Sequence, residues 1–163
     1  YLTLLNNDCF IESYNYFDEV LSHMEKNDII ISSCKTKNIS FYNLLVKLFY
    51  RLKYFRFNHT PLEYSSIARR QGWLMTINLQ QYKLLDYNIP DYLKVWYGDD
   101  WIWSQIILNN LNYALYVNRY ALHIKSTSTS GIPEIIQSDI DNIEKHGDWY
   151  KKITDEMHSK KYV

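Results

Sequence analysis

The chain has 163 residues, a length that allows one domain with its own apolar core. Basic and acidic residues number 18 each, so no net charge attracts the protein to nucleic acid or to an anionic membrane, and we do not expect nucleic acid as a partner. The two cysteines have neither a C-x-x-C spacing nor paired histidines nearby, which argues against a zinc site or a disulfide framework and favours a reducing, cytoplasmic location.

The sequence begins with a predicted strand. Residues 1–5 are apolar and end abruptly at Asn6-Asn7-Asp8, a pattern typical of a buried strand with polar residues at its carboxyl end. Because the chain starts inside this strand and without methionine, we expect that an upstream part is absent. An amphipathic helix is predicted over residues 12–26, where apolar side chains recur at three- and four-residue steps, and a second strand over 28–33.

A second apolar stripe predicts a helix over residues 41–55, and its other face is basic. An ordinary core-facing helix explains this pattern, and a surface that docks a membrane or an acceptor stays open as the alternative. Residues 58–66 are predicted to form a loop. No apolar run is long enough to span a bilayer, so we predict no transmembrane segment and leave a peripheral position at the membrane open.

The second half of the chain alternates between strand and helix patterns. The predicted elements are strands at 72–79, 114–117 and 121–125, helices at 80–85 and 101–111, a turn at 88–91, a serine- and threonine-rich loop at 127–131, and a helix that starts at Pro133 before a broken, charged end. No internal repeat or linker divides the chain. We therefore expect residues 1–163 to form a single α/β domain in which a mixed sheet is flanked by helices.

Three polar clusters are candidates for chemistry, and the first is Asn6-Asn7-Asp8. The side chains of Asn6 and Asp8 are two residues apart on a predicted strand end and point to the same side. One carboxylate and one amide would hold a hard cation such as Mg²⁺ or Mn²⁺ if a diphosphate supplied further oxygens. The alternative is an asparagine-rich turn stabilised by local hydrogen bonds, and spacing alone favours neither.

The second cluster is Tyr97-Gly98-Asp99-Asp100, directly before a predicted helix. Asp100 could act as a general base, and neighbouring rings could stack on a sugar; these rings are Trp96, Tyr97, Trp101 and Trp103. The alternative is structural, because aspartates at a helix start cap exposed amides and suit the helix dipole.

The third cluster is His123, which precedes a run of serines and threonines. Its imidazole could bind a metal, and the hydroxyl groups of the loop could bind phosphate oxygens. A single histidine in an apolar strand is, however, more often a structural residue.

The order of these motifs resembles that of family 2 glycosyltransferases. In those enzymes a strand ends in D-x-D or a variant such as N-N-D, a glycine-aromatic strand follows, and an acidic pair precedes a helix. This chain has Asn6-Asn7-Asp8, then Gly72-Trp73, then Asp99-Asp100, then His123, over roughly residues 1–130. The resemblance implies a partial GT-A fold whose nucleotide-binding N-terminal segment lies upstream.

The resemblance also assigns roles to residues. Asp8, helped by Asn6, and His123 would hold Mn²⁺ or Mg²⁺ on the diphosphate of a nucleotide-sugar donor. Asp100 would be the catalytic base. The remaining assigned residues would bind substrate; they are Asp99, Gly72, Trp73 and Trp101. The reaction implied is sugar transfer with inversion to a glycan, lipid-linked or protein acceptor. Asn6 in place of an aspartate, and Asp99 in place of the usual glutamate, depart from the family pattern.

Acidic and aromatic residues also occur in the sites of two other kinds of protein. A glycoside hydrolase needs two carboxylates on either side of the scissile bond, and the adjacent Asp99 and Asp100 are poorly placed for that. A non-catalytic module that binds glycans or single-stranded nucleic acid on an aromatic platform remains the alternative, since tyrosine alone accounts for 16 residues.

Overall fold

A computed structural model describes residues 1–6, 9–11, 15–39, 60–65, 72–85, 88–94, 96–124 and 132–160 of the chain. The strands in these ranges are β1 (Leu2–Leu5), β2 (Cys9–Ile11), β3 (Ile31–Ile39), β4 (Tyr64–Ser65), β5 (Leu74–Ile77) and β6 (Tyr113–Ile124). The helices are α1 (Tyr16–Lys26), α2 (Leu79–Lys83), α3 (Gly98–Leu108), α4 (Pro133–His146) and α5 (Asp148–Lys160). The helix predicted over 41–55 and the loop predicted at 127–131 lie outside the described residues.

The described strands form one mixed sheet. Its order is β1-β5-β3-β6-β2, and the short β4 also pairs with β6. The pair β3 and β6 is parallel, whereas β1 with β5, β5 with β3, and β6 with both β2 and β4 are antiparallel. The predicted α/β class with a mixed sheet is confirmed.

Helices cover both faces of this sheet. Neighbouring residues of a strand point to opposite faces, and Leu74 and Met75 of β5 belong to different core clusters. The cluster on the Met75 side contains the buried side of α3, with Ile102, Trp103, Ile106 and Ile107. The cluster on the Leu74 side contains the buried side of α1, with Tyr16, Val20 and Met24. The sheet is therefore the middle layer between α1 and α3.

A third cluster lies on the other side of α3. Leu93, which precedes that helix, packs in one cluster with Trp149 and Ile153 of α5. Trp101 and Leu108 of α3 are partly buried against the same cluster. The helix α3 is thus enclosed between the sheet and α5. Within the described ranges, no helix combines the length and the apolar character needed to cross a bilayer.

The position of β1 corrects a prediction. Residues 2–5 do form a strand, but it lies at the edge of the sheet, and Leu2, Leu4 and Leu5 are 39%, 38% and 43% exposed. The prediction of a buried strand is therefore wrong. An apolar run identifies a strand, but whether neighbours cover it depends on residues far away in the sequence.

Further differences occur toward the end of the chain. The two short strands predicted at 114–117 and 121–125 are one strand, β6, and the charged tail predicted to be broken contains a second helix, α5. The segment predicted as a loop at 58–66 contains the two-residue strand β4. The helix predicted to begin at Trp101 starts three residues earlier, so Asp99 and Asp100 lie within its first turn.

The sequence pattern predicted two strands because β6 is irregular between residues 116 and 120. Its ladder with β3 shifts register where Cys34 pairs with Tyr116 and the next residue, Lys35, pairs with Tyr120. The intervening Arg119 is fully buried and forms an ion pair of 2.8 Å with Glu19 of α1. Its guanidinium also donates a 2.7 Å hydrogen bond to the carbonyl oxygen of Thr60. The irregularity thus joins α1 and the segment before β4 to the sheet.

Replacing Glu19 with alanine should leave the buried Arg119 guanidinium without its counter-charge. Loss of one member of a fully buried pair costs about 3–5 kcal/mol, and because Glu19 is itself 24% exposed we expect about 2 kcal/mol here. Urea denaturation would measure the free energy of unfolding. The matched control is Asp18→Ala, one residue earlier in the same helical turn and exposed to solvent. Equal losses in the two variants would show that the ion pair contributes nothing.

Candidate functional site

The candidate site begins where β1 ends and β5 begins. The backbone amide of Asn6, directly after β1, donates a 3.0 Å hydrogen bond to the carbonyl oxygen of Trp73, directly before β5. The pairing of Leu5 with Leu74 continues this ladder inside the sheet. Asn6 and Gly72-Trp73, predicted separately from the sequence, therefore lie side by side at one end of the sheet.

Gly72 brings the acidic motif to the same place. A β-carbon added to Gly72 would overlap Oδ2 of Asp99 and would lie 2.6 Å from its Cγ. Only a residue without a side chain permits this approach, because the Asp99 carboxyl group occupies the space that a methyl group would need. The first turn of α3 thus sits against the start of β5, with the Asp99 carboxyl group between them.

Trp73 connects this arrangement to His123. The two rings have centroids 4.0 Å apart and planes inclined by 43°. His123 is 5% exposed, and in the antiparallel pair of β2 and β6 it lies opposite Cys9. The indole of Trp73 covers the imidazole on one side and is itself 37% exposed on the other. It therefore presents an aromatic surface to solvent, while its neighbour in sequence, Gly72, contacts the Asp99 carboxyl group.

The turn into α3 is strained. Tyr97, at its N-cap, has φ 66° and ψ 0°, a left-handed conformation that is uncommon for a bulky residue and costs on the order of 1–3 kcal/mol. Its ring packs edge-on against Tyr150 with centroids 5.2 Å apart. The pKa of the Tyr97 phenol is raised mainly by burial, and the neighbouring Tyr150, Asp100 and Asp139 raise it further. The phenol therefore stays protonated at neutral pH. Asp100 is half-buried and close to this phenol.

The structure thus brings together five of the predicted site residues through contacts with Gly72 and Trp73; they are Asn6, Gly72, Trp73, Asp99 and His123. Asp100 follows in the same helical turn.

Trp101 faces elsewhere, because its indole N–H donates to the carbonyl oxygen of Asn88 at 2.8 Å and its ring packs edge-on against Trp149. Trp103 is fully buried in the core, so it offers no surface to a sugar. Asp8 lies outside the described residues.

The described residues do not by themselves fit a hard cation. Among them, no three histidine, cysteine, aspartate or glutamate side chains lie close enough to share a metal ion. His123 is stacked against Trp73, and its cross-strand neighbour Cys9 carries a soft thiol that suits zinc rather than magnesium or manganese. A site for Mg²⁺ or Mn²⁺ would therefore need Asp8 and oxygens from a ligand.

Sequence reasoning missed a buried carboxylate behind the site. Asp139 of α4 is 0% exposed and accepts hydrogen bonds from the backbone amides of Lys94 at 2.9 Å and Trp96 at 2.7 Å. A signal was present in the sequence, because Asp139 falls between Ile136 and Ile143 on the apolar stripe of its helix. A charged residue there must have partners when the stripe is buried.

Comparison of the chain with protein-family models, with curated proteins and with solved structures gives no match. The resemblance seen in the sequence therefore has no support from a relative. The role of the site has to be inferred from its own residues.

Cys34 is not a nucleophile of this site. It is 1% exposed in the core on the α1 side, and burial raises the pKa of its thiol to about 12. A thiol with so high a pKa is almost entirely protonated at neutral pH, and only the thiolate reacts as a nucleophile. The thiol is a core side chain.

Because burial raises the pKa of the Cys34 thiol, the stability of the fold should depend on pH. The Cys34 thiol ionises near its ordinary pKa of 9.0 when unfolded and near 12 when folded, so its contribution to stability is complete below pH 9 and is lost as the pH rises toward 12. We expect wild-type stability to fall more steeply over this interval than that of Cys34→Ala, in urea titrations at stepwise pH. At pH 8, Cys34 should also react with a thiol reagent only after denaturation. Parallel stability curves for the two proteins would contradict this assignment.

The contact of Gly72 with Asp99 is tested by adding a methyl group. Gly72→Ala should displace the Asp99 carboxyl group and destabilise the fold by about 1–3 kcal/mol, the usual cost of overpacking. Gly98→Ala is the matched control, because its added carbon would first meet Ile89 at an ordinary 3.6 Å and alanine favours helix. Thermal unfolding of the two variants measures the difference. A harmless Gly72→Ala would mean that Asp99 is not held against this glycine.

Proposed function

We propose that the chain is the catalytic and acceptor-binding part of an inverting glycosyltransferase that uses a nucleotide-diphosphate sugar. The observation that carries the proposal is the contact of Gly72-Trp73 with Asp99, His123 and Asn6 at one end of the sheet. These residues come from four separate stretches of sequence. Ligands of open α/β sheets bind at such ends, where side chains from several strands and helix starts meet.

Substrate binding is proposed for Asp99 and Trp73. The half-buried Asp99 carboxylate accepts hydrogen bonds from acceptor hydroxyl groups, and the exposed side of the Trp73 indole supports a sugar ring. Gly72 has no side chain, so the backbone and the carboxylate approach each other closely. This combination of a carboxylate and an aromatic surface favours a polyhydroxylated acceptor.

Asp100 is proposed as the general base. Its carboxylate takes the proton of an acceptor hydroxyl, the oxygen forms a bond to the anomeric carbon of the donor, and the bond from that carbon to the diphosphate oxygen breaks with inversion. No covalent intermediate on the protein is needed. The half-buried position of Asp100 in the first turn of α3, one residue after Asp99, supports this role.

Mn²⁺ or Mg²⁺ remains part of the proposal, with Asp8 as the principal ligand and Asn6 and His123 as further ones. Such an ion would neutralise charge on the departing diphosphate. The imidazole of His123 packs against the indole of Trp73, which holds it in place at the site. The nucleotide-sugar donor and a glycan, lipid-linked or protein acceptor are proposed on the resemblance alone. A cytoplasmic location, at or away from a membrane, is proposed on the spacing of the cysteines and the short apolar runs.

A non-catalytic glycan-binding module is the second candidate. Trp73 and Trp96 are each 37% exposed, and Trp96 lies three residues before Asp99. Exposed indoles bind sugar rings by stacking, without any reaction. The transferase uses the carboxylates to turn over a sugar donor, whereas the binding module has no turnover.

The first experiment measures transfer and donor hydrolysis by the product of the full natural reading frame, against a panel of nucleotide sugars with and without Mn²⁺. We expect kcat to fall roughly 100- to 10,000-fold in Asp100→Asn, as for loss of a general base. Asp99→Asn should mainly raise KM for the acceptor, and Asp8→Ala should remove the response to Mn²⁺. Asp91→Asn, exposed and outside the site, is the control.

Turnover that survives both Asp99→Asn and Asp100→Asn would contradict the roles given to the two carboxylates, and the absence of turnover with any donor would contradict the transferase. Glycan binding that is unaffected by Asp100→Asn but lost in Trp73→Ala, without turnover of any donor, would support the binding module instead. Because Asp99 and Asp100 are tested separately, the result also shows which carboxylate takes the proton.

A further inference from the structure

The segment before α3 is held by one face of α4. Asp139 accepts two backbone hydrogen bonds, its Oδ1 from the amide of Lys94 and its Oδ2 from the amide of Trp96. Asn142, three residues later and therefore on the same face of the helix, donates from Nδ2 to the carbonyl oxygen of Tyr92 at 2.9 Å. Two side chains thus hold the backbone before α3 at Tyr92, Lys94 and Trp96.

The Asp139 carboxylate is a demanding group to bury. It is 0% exposed, and removal of a carboxylate from water is tolerated when hydrogen-bond donors replace the lost solvent. Both of its oxygens receive backbone donors, and such charge-assisted bonds are about twice as strong as neutral ones. The backbone of this segment is therefore tied to α4 more firmly than apolar packing alone would achieve.

This segment leads directly into the acidic motif. Trp96, which Asp139 holds, is followed by the left-handed Tyr97, and α3 starts at the next residue. Asp99 then reaches Gly72 within the first turn. A left-handed tyrosine persists only where its surroundings fix it, and here a hydrogen bond precedes it and the Tyr150 ring packs on its side chain.

We propose that Asp139 is a positioning residue for the reaction, and this inference rests on the function proposed above. By fixing the backbone at Lys94 and Trp96, it sets the turn at Tyr97 and with it the direction in which Asp99 and Asp100 leave α3. Asp139 itself touches neither substrate nor metal. Its role is to keep the Asp99 carboxylate against Gly72 at the start of β5 and the Asp100 carboxylate in its place in the same helical turn.

The test is Asp139→Asn, which keeps the shape of the side chain but sets an amide –NH₂ against one of the two backbone donors. We expect kcat to fall about 100-fold, the effect of displacing a catalytic group by roughly 1 Å, with little change in KM for the donor. Hydrogen exchange at the amides of Lys94 and Trp96 should become faster, while that of β3 and β6 stays as in the wild type.

Asp141→Asn is the matched control, because Asp141 lies on the same helix, is exposed and accepts a 2.9 Å hydrogen bond from Gln137, one turn earlier in that helix. It should leave kcat and exchange unchanged. Asn142→Ala serves as a milder second variant should Asp139→Asn fold poorly, and it should lower kcat in the same sense with less effect. Rescue of part of the lost kcat by Asp139→Glu would support a requirement for the carboxylate.

Several outcomes would overturn the proposal. An unchanged kcat in Asp139→Asn and Asn142→Ala would do so, as would a general rise of exchange throughout β3 and β6, which would make Asp139 a residue for overall stability. A wild-type chain that transfers no sugar would remove the proposed function, whereas unchanged exchange at Lys94 and Trp96 would remove the positioning role. The two failures are therefore distinguishable.

Discussion

The parallel pairing of β3 with β6 is the contact on which the other parts of the structure depend. The two strands are covered on one face by α1 and on the other by α3, and every other described strand pairs with one of them or with a strand that does. Such a buried position requires that polar side chains find partners. Ser33 is fully buried and donates to the carbonyl oxygen of Leu74 at 2.6 Å, which ties β3 to β5 through a side chain as well as through the ladder.

The candidate site is a consequence of this arrangement. The start of β5 is fixed by its pairing with β3 and β1, and the start of α3 is fixed by packing on the same sheet and by Asp139 behind it. Asp99 contacts Gly72 because these interactions hold the start of β5 and the start of α3 next to each other. His123 reaches Trp73 because β6 continues past the level at which β5 begins. The carboxylate and the rings are thus oriented by elements of the core, as a preorganised site requires.

Local patterns in the sequence predicted much of this molecule. The periodicity around Val20 and Met24 predicted α1, the alternating pattern over residues 72–79 predicted β5, and the acidic residues before Trp101 predicted the start of a helix, because each signal depends on near neighbours. The edge position of β1 and the ion pair of Arg119 with Glu19 were not predictable in this way. Both depend on partners distant in sequence, and nothing in an apolar or basic residue indicates which partner the fold provides. For the site, the motifs indicated Gly72, Asp99 and His123, but not the contacts between them.

The enclosure of α3 has a consequence for how this protein can diverge. The helix is packed against the sheet through Ile102 and Ile106 and against α5 through Trp101, so a substitution on either side disturbs a core. Selection should therefore preserve the helix and the aspartates that it carries. The side chains of Ile89, Asp91 and Trp96, at the surface before it, have fewer such constraints. Descendants of one ancestral chain would then acquire different ligand preferences by exchanging these side chains, while the acidic turn and the fold that supports it are inherited unchanged.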